Sequence, residues 1–209
     1  MTAPALDFTH RFVPAAVPGR APLLLLHGTG GDENDLMPLG KALSPGAALL
    51  SPRGLVSEGG MPRFFRRLAE GVFDPVEVRH RAAELAGFVM DARGTYGLDA
   101  PVAVGFSNGA NIAAVLLALH PGTLGGAVLL RPMSVLDDPG LPATVPVLMV
   151  SGSEDPIVPV GSARALVDRL RAAGATVEHD VIRAGHGLTG ADLDLATAWL
   201  RRQSLRQDP

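Results

Sequence analysis

Short apolar runs recur along the chain, spaced so that one helix fits between most of them. They fall at residues 23–26, 47–50, 102–106, 127–130 and 147–150. Continuous runs this short suit strands buried on both faces, as in a parallel sheet. Residues 177–182 alternate apolar and polar side chains, which predicts a strand nearer an edge, and residues 9–13 are predicted as an outer antiparallel strand. Helical periodicity fills the gaps. Val78, Ala82, Leu85 and Val89 form one stripe at i+3/i+4 spacing within 76–96. Residues 108–119 are almost wholly apolar, predicting a helix packed on most sides, and 162–173 end at Gly174, a candidate left-handed cap. Residues 193–200 place Trp199 on the apolar face of a last helix. Strand and helix alternating over nearly the whole length predict one domain across residues 1–209, an α/β fold with a mostly parallel, doubly wound sheet and helices on both faces.

Two connections stand out. Residues 51–75 hold four glycines and three prolines with no long periodic stretch. A loop of that length in a compact domain is usually functional or disordered. The connection 131–146 is too short for an inserted lid domain, which predicts an open site.

The overall content narrows the chemistry. Hydrophobic residues make up 47% and charged residues 19%, the balance of a globular protein, and a net charge of −3 gives no basis for binding nucleic acid or an acidic membrane surface. The absence of cysteine removes disulfides, thiolate metal sites and a cysteine nucleophile. No basic start with an apolar stretch marks a signal peptide, and no apolar run reaches the roughly 18 residues of a spanning helix. The expected location is cytoplasmic.

Gly105-Phe106-Ser107-Asn108-Gly109 fits the pattern G-x-S-x-G. It follows a predicted buried strand and opens a predicted helix, the setting a nucleophile elbow requires. A capping serine between two incidental glycines is the alternative. A serine hydroxyl needs a positioned base to become an effective nucleophile, and enzymes with such an elbow carry an acid and then a histidine downstream. Of the later histidines, His120 ends an apolar helix and His179 sits inside a strand, both structural positions, whereas His186 lies in the glycine-flanked loop Ala184-Gly185-His186-Gly187. Asp155 follows the strand at 147–150 and its Gly152 turn, where a carboxylate can orient the imidazole. Glu154 is its neighbour, and Asp137 and Asp138 are runners-up after the preceding strand. His27-Gly28-Thr29-Gly30-Gly31 follows the first apolar run. Its backbone suits an oxyanion hole, with Thr29 supplying one N–H and Asn108 the other. A phosphate loop is the alternative reading, against which stand the missing Walker lysine and G-x-G-x-x-G spacing. His27 reads as a residue that fixes the loop.

These residues are similar to a known set. His27-Gly28-Thr29-Gly30-Gly31-Asp32-Glu33, Gly105-Phe106-Ser107-Asn108-Gly109-Ala110 and Gly185-His186 resemble the phospholipase/carboxylesterase family of small α/β-hydrolases, which includes the acyl-protein thioesterases. Ser51-Pro52-Arg53-Gly54 and Met61-Pro62-Arg63-Phe64-Phe65-Arg66-Arg67 look like a bacterial branch of carboxylesterases, some associated with aromatic-compound metabolism. The resemblance covers nearly the whole chain. It implies the α/β-hydrolase fold, the triad Ser107, Asp155 and His186, and oxyanion donors at Thr29 and Asn108. One departure is Phe64-Phe65-Arg66 where thioesterase relatives carry Trp-Phe-Asp or Trp-Tyr-Asp, which speaks against a role on long acyl chains of proteins.

The expected function is hydrolysis of small soluble carboxylic esters through an acyl-enzyme. No metal and no organic cofactor are expected. Thioester or lysophospholipase-type cleavage by the same residues is the close alternative, and a non-catalytic receptor on a hydrolase scaffold is the reading from another class. The expected partner is a small-molecule ester, not nucleic acid or membrane, with a homodimer left open. In the 51–75 loop, Phe64 and Phe65 are candidates for an apolar pocket wall and Arg63 and Arg66 for a cationic rim. The competing reading pins both phenylalanines to the core and leaves the arginines solvated. Met133 is a further pocket candidate, with a core position as its alternative.

Overall fold

The computed structural model describes residues 7–137 and 144–207. Seven strands form one sheet in the order β1-β3-β2-β6-β7-β8-β9. They are β1 (His10–Val13), β2 (Leu23–Leu26), β3 (Leu49–Pro52), β6 (Val102–Phe106), β7 (Gly126–Leu130), β8 (Pro146–Gly152) and β9 (Thr176–Ile182). All neighbouring pairs are parallel except β1 with β3, where His10 faces Pro52 and Val13 faces Leu49. The outer antiparallel strand and the edge position of β9 agree with the sequence reading.

Adjacent leucines show why the runs are continuous. Leu24 and Leu26 join a core layer with α2 (Pro75–Tyr96), α3 (Asn108–Leu119) and α4 (Val160–Ala172). Leu23 and Leu25 point into a second layer with α1 (Met37–Leu43) and α5 (Gly190–Gln207), which includes Trp199 at 1% exposure. Successive strand side chains point to opposite faces, so a strand with helices on both sides buries every residue. This is the doubly wound α/β-hydrolase architecture.

Several boundaries move. The third-strand prediction at 47–50 shifts to Leu49–Pro52, and α1 was not foreseen. Residues 51–75 are not simply loop: β4 (Val56–Glu58) and β5 (Met61–Arg63) pair as an antiparallel hairpin. The last helix begins at Gly190, earlier than its apolar stripe. Gly174 has φ +94° just beyond Ala173, the C-cap of α4, consistent with the predicted left-handed position. Among the described residues no helix is long and apolar enough to cross a membrane. Part of the short connection 131–146, including Asp138, lies outside the described residues.

Candidate active site

β6 ends at Phe106 and α3 begins at Asn108, so Ser107 alone makes the turn, with φ 52° and ψ −115°. Such backbone costs about 1–3 kcal/mol for a residue with a Cβ and persists where its surroundings enforce it. The enforcing contact is close packing. A Cβ on Gly109 would lie 2.0 Å from the Leu26 carbonyl oxygen, and one on Gly105 would lie 2.6 Å from that of Gly109. The two glycines of the motif therefore let β2, β6 and α3 approach closely enough to hold the serine at the carboxyl edge of the sheet.

The acid and the histidine reach the same edge from β8 and β9. After Gly152 the chain turns, and Asp155 Oδ1 accepts the backbone N–H groups of Ile157 (2.8 Å) and Val158 (3.0 Å). Asp155 Oδ2 is left facing His186 Nδ1 at 2.8 Å, and His186 Nε2 lies 2.9 Å from Ser107 Oγ. The Asp155 side chain is 1% exposed and that of His186 19%. Burial pushes the Asp155 carboxyl up, but the Val158 amide, the His186 imidazole and the Ile157 amide outweigh it and hold it below the usual carboxylate range. An ionised Asp155 accepts from Nδ1–H, which leaves Nε2 free to accept the serine proton.

The other titratable candidates lie elsewhere. Asp137 pairs with Arg169 at 2.6 Å with its side chain 99% exposed. Glu154 pairs with Arg183 at the surface. His179 contacts Ser151 Oγ at 3.0 Å inside the β8–β9 ladder, and burial lowers its pKa. His120 is the C-cap of α3; a helix terminus favours a cation there, yet burial lowers its pKa as well.

His27 is 1% exposed and lies within the loop after β2. Burial pushes its imidazole down, against the Gly28 carbonyl bonded to Nδ1 at 2.7 Å. The neutral ring then accepts the Gly54 N–H at Nε2, 3.0 Å away, joining this loop to the chain after β3. Thr29 and Asn108 both line the cavity beside Ser107. Among the described residues no backbone carbonyl outside the regular helices and strands accepts the N–H of Thr29 or Asn108. Asn108 also sits at the positive end of α3.

The cavity has a volume of about 300 Å³. Phe73, Phe106, Met133 and Ile157 give it apolar walls. Met133, 7% exposed, is among these lining residues as well as buried like a core methionine, and Asn111 Oδ1 accepts its backbone N–H at 2.8 Å. Phe64 and Phe65 do not. They are 2% and 0% exposed, Phe64 tilted against His27 and Phe65 edge-on to Phe73, and neither lines the cavity. Arg66 is solvent-exposed and also lies off the cavity, its backbone N–H bonded to Glu77. The pocket-wall and cationic-rim expectations for these three residues are corrected accordingly: the two rings follow their transfer energy into the core, and the intervening backbone turns Arg66 outward.

Arg63 does line the cavity, and at 4% exposure it is not the solvated arginine of the competing reading. Its guanidinium donates to Thr29 Oγ1 at 2.6 Å and to the Phe65 carbonyl at 3.0 Å, with Glu58 3.3 Å away. Phe73, Met61 and Ile157 were not singled out from sequence, since isolated apolar residues in loops carry no periodic signal.

The Abhydrolase_4 family model, described as TAP-like protein, matches residues 131–194. The chain is 43% identical over 183 residues to the candidate hydrolase MhqD of Bacillus subtilis (strain 168), covering 86% of this chain and 92% of MhqD. A carboxylesterase from Bacillus cereus superposes with a TM-score of 0.90 at 40% identity, covering 94% of each chain. A carboxylesterase from Mesorhizobium loti gives 0.87 at 34% identity, covering 93% of this chain and 94% of its own. The chain therefore belongs to the phospholipase/carboxylesterase family of α/β-hydrolases, a family of esterase-type hydrolases.

Proposed function

We propose that the protein hydrolyses small carboxylic esters by a serine acyl-enzyme mechanism. The observation that carries this reading is the unbroken relay from Asp155 Oδ2 to His186 (2.8 Å) and from His186 to Ser107 Oγ (2.9 Å). Ser107 Oγ attacks the ester carbonyl carbon while its proton passes to His186 Nε2. Asp155 keeps the imidazole in the accepting tautomer and stabilises the imidazolium. The carbonyl oxygen, now negative, is met by the backbone N–H groups of Thr29 and Asn108, each worth about 10²–10³ in rate in comparable sites. Collapse breaks the bond to the alcohol oxygen, which takes the proton from Nε2, leaving an acyl-serine. Water then repeats the sequence, its proton going to Nε2 and its oxygen to the acyl carbon, and returns the carboxylic acid and free serine.

A 300 Å³ cavity with aliphatic and aromatic walls suits a compact acyl or alcohol group. Turnover of p-nitrophenyl acetate that disappears in a folded Ser107→Ala variant supports this reading; unchanged turnover in that variant refutes it. Matched esters and thioesters in a chain-length series then rank the two substrate classes.

A further inference from the structure

Ser107 and Arg131 are the two non-glycine residues with positive φ among the described ones, at 52° and 57°. They occupy equivalent places, one residue beyond the ends of the adjacent strands β6 and β7. Strain of this kind marks positions that their surroundings over-determine. Around Arg131 those surroundings are a complete set of acceptors. The side chain is 0% exposed. Its Nε donates to the Gly185 carbonyl at 2.9 Å and its Nη2 to the Gly187 carbonyl at 3.1 Å. Nη1 and Nη2 reach the two oxygens of Asp192 at 2.6 and 3.0 Å, and Nη1 also approaches the Val150 carbonyl at 3.4 Å. A guanidinium has five N–H donors in a rigid plane, and each here has an acceptor.

The two loop carbonyls belong to the residues on either side of His186. Asp192, itself 2% exposed in the first turn of α5, also accepts the Thr189 backbone N–H (2.8 Å) and hydroxyl (2.9 Å). Neither glycine beside His186 has a side chain to hold its part of the loop; the guanidinium reaches both of their carbonyls from the end of β7, two strands away from β9 in the sheet. We infer that Arg131, braced by Asp192, is the positioning residue for His186: it sets the imidazole between Asp155 and Ser107 without touching substrate. This rests on the acyl-enzyme reading above.

The test uses two variants, each paired with wild type and Ser107→Ala. Arg131→Met with Asp192→Leu removes the buried pair as a unit, which avoids stranding a charge. Arg131→Lys keeps the charge but cannot bridge both carbonyls. The inference expects both variants to lose kcat, the double variant by roughly 10²-fold, the cost of a small misplacement of a catalytic group. KM should stay within about threefold, because no substrate contact is removed. In proton spectra the low-field signal of the His186 Nδ1–H shared with Asp155 should vanish or broaden in the double variant. A folded double variant with wild-type kcat and an intact low-field signal overturns the inference. Should the double variant not fold, Arg131→Lys decides alone: a fall in kcat at constant KM supports the inference, and unchanged kcat overturns it. Turnover surviving in Ser107→Ala would instead refute the triad, so the two failures are separable.

Discussion

The Asn108 side chain ties the nucleophile turn to the segment that follows the β4–β5 hairpin. Its Oδ1 accepts the Phe64 backbone N–H at 2.7 Å, and its Nδ2 donates to the Phe65 carbonyl at 3.3 Å. The side-chain amide thus holds two buried phenylalanines in register, a task separable from the oxyanion donation proposed for the backbone N–H. Replacing Asn108 with alanine leaves the Phe64 N–H buried and unpaired, at a cost of about 1–3 kcal/mol. Thermal unfolding should show a fall in Tm of roughly 2–4 °C per kcal/mol, while the residual kcat stays far above that of Ser107→Ala. A kcat loss as deep as that of Ser107→Ala with unchanged Tm would contradict this division.

Asp155→Asn should preserve the fold and lower kcat by about 10⁴, since an amide facing Nδ1 favours the wrong tautomer. Steady-state kinetics on a chromogenic ester reads this directly. A loss below tenfold would mean that the carboxylate does not orient the imidazole.

Met133 lines both the cavity beside Ser107 and a second apolar cavity of about 40 Å³ between α3 and α4, bounded by residues such as Ala114, Leu136 and Leu166. Met133→Ala should merge the two. Each methylene that reaches the new space gains about 0.8 kcal/mol, close to fourfold in kcat/KM. An ester series should therefore show its optimum moving to longer acyl chains; an unmoved optimum rules out the connection.

His27 makes stability depend on pH. Burial puts its folded pKa below the ordinary value of about 6.5, so the unfolded chain binds the proton more readily. Stability from this residue is fully present above about pH 6.5 and is lost as pH falls through the lower folded value. Burial lowers His120 and His179 in the same direction, so the comparison must be with a variant. Urea midpoints at pH 7.5 and 5 should drop more in wild type than in His27→Asn. Equal drops would show that His27 does not carry the effect.

The strands were readable because both faces of the sheet are covered, so each announces itself as an unbroken apolar run. Their ends were harder. β3 and β8 run on into Ser51, Pro52, Ser151 and Gly152, polar or turn-forming residues that pattern reading takes for loop. α1 hides behind Pro38 and Gly40, and the β4–β5 hairpin behind Gly59, Gly60 and Pro62. The relay residues were visible because G-x-S-x-G and a glycine-flanked histidine are local patterns. Arg131 was not, because an arginine after an apolar strand looks solvated until its acceptors, 19 to 61 residues away in sequence, are brought beside it. Phe64 and Phe65 are ambiguous in the sequence for the converse reason: aromatic rings among arginines resemble a pocket rim, and the packing against His27 and Phe73 decides for the core reading.

Intact-protein mass spectrometry after treatment with a fluorophosphonate tests the mechanism most directly. The relay from Asp155 through His186 to Ser107 predicts a single adduct, mapped by peptide sequencing to Ser107, absent from Ser107→Ala and formed far more slowly in His186→Ala. Ester turnover by a protein that takes no adduct on Ser107, or labelling at equal rate without His186, would contradict it.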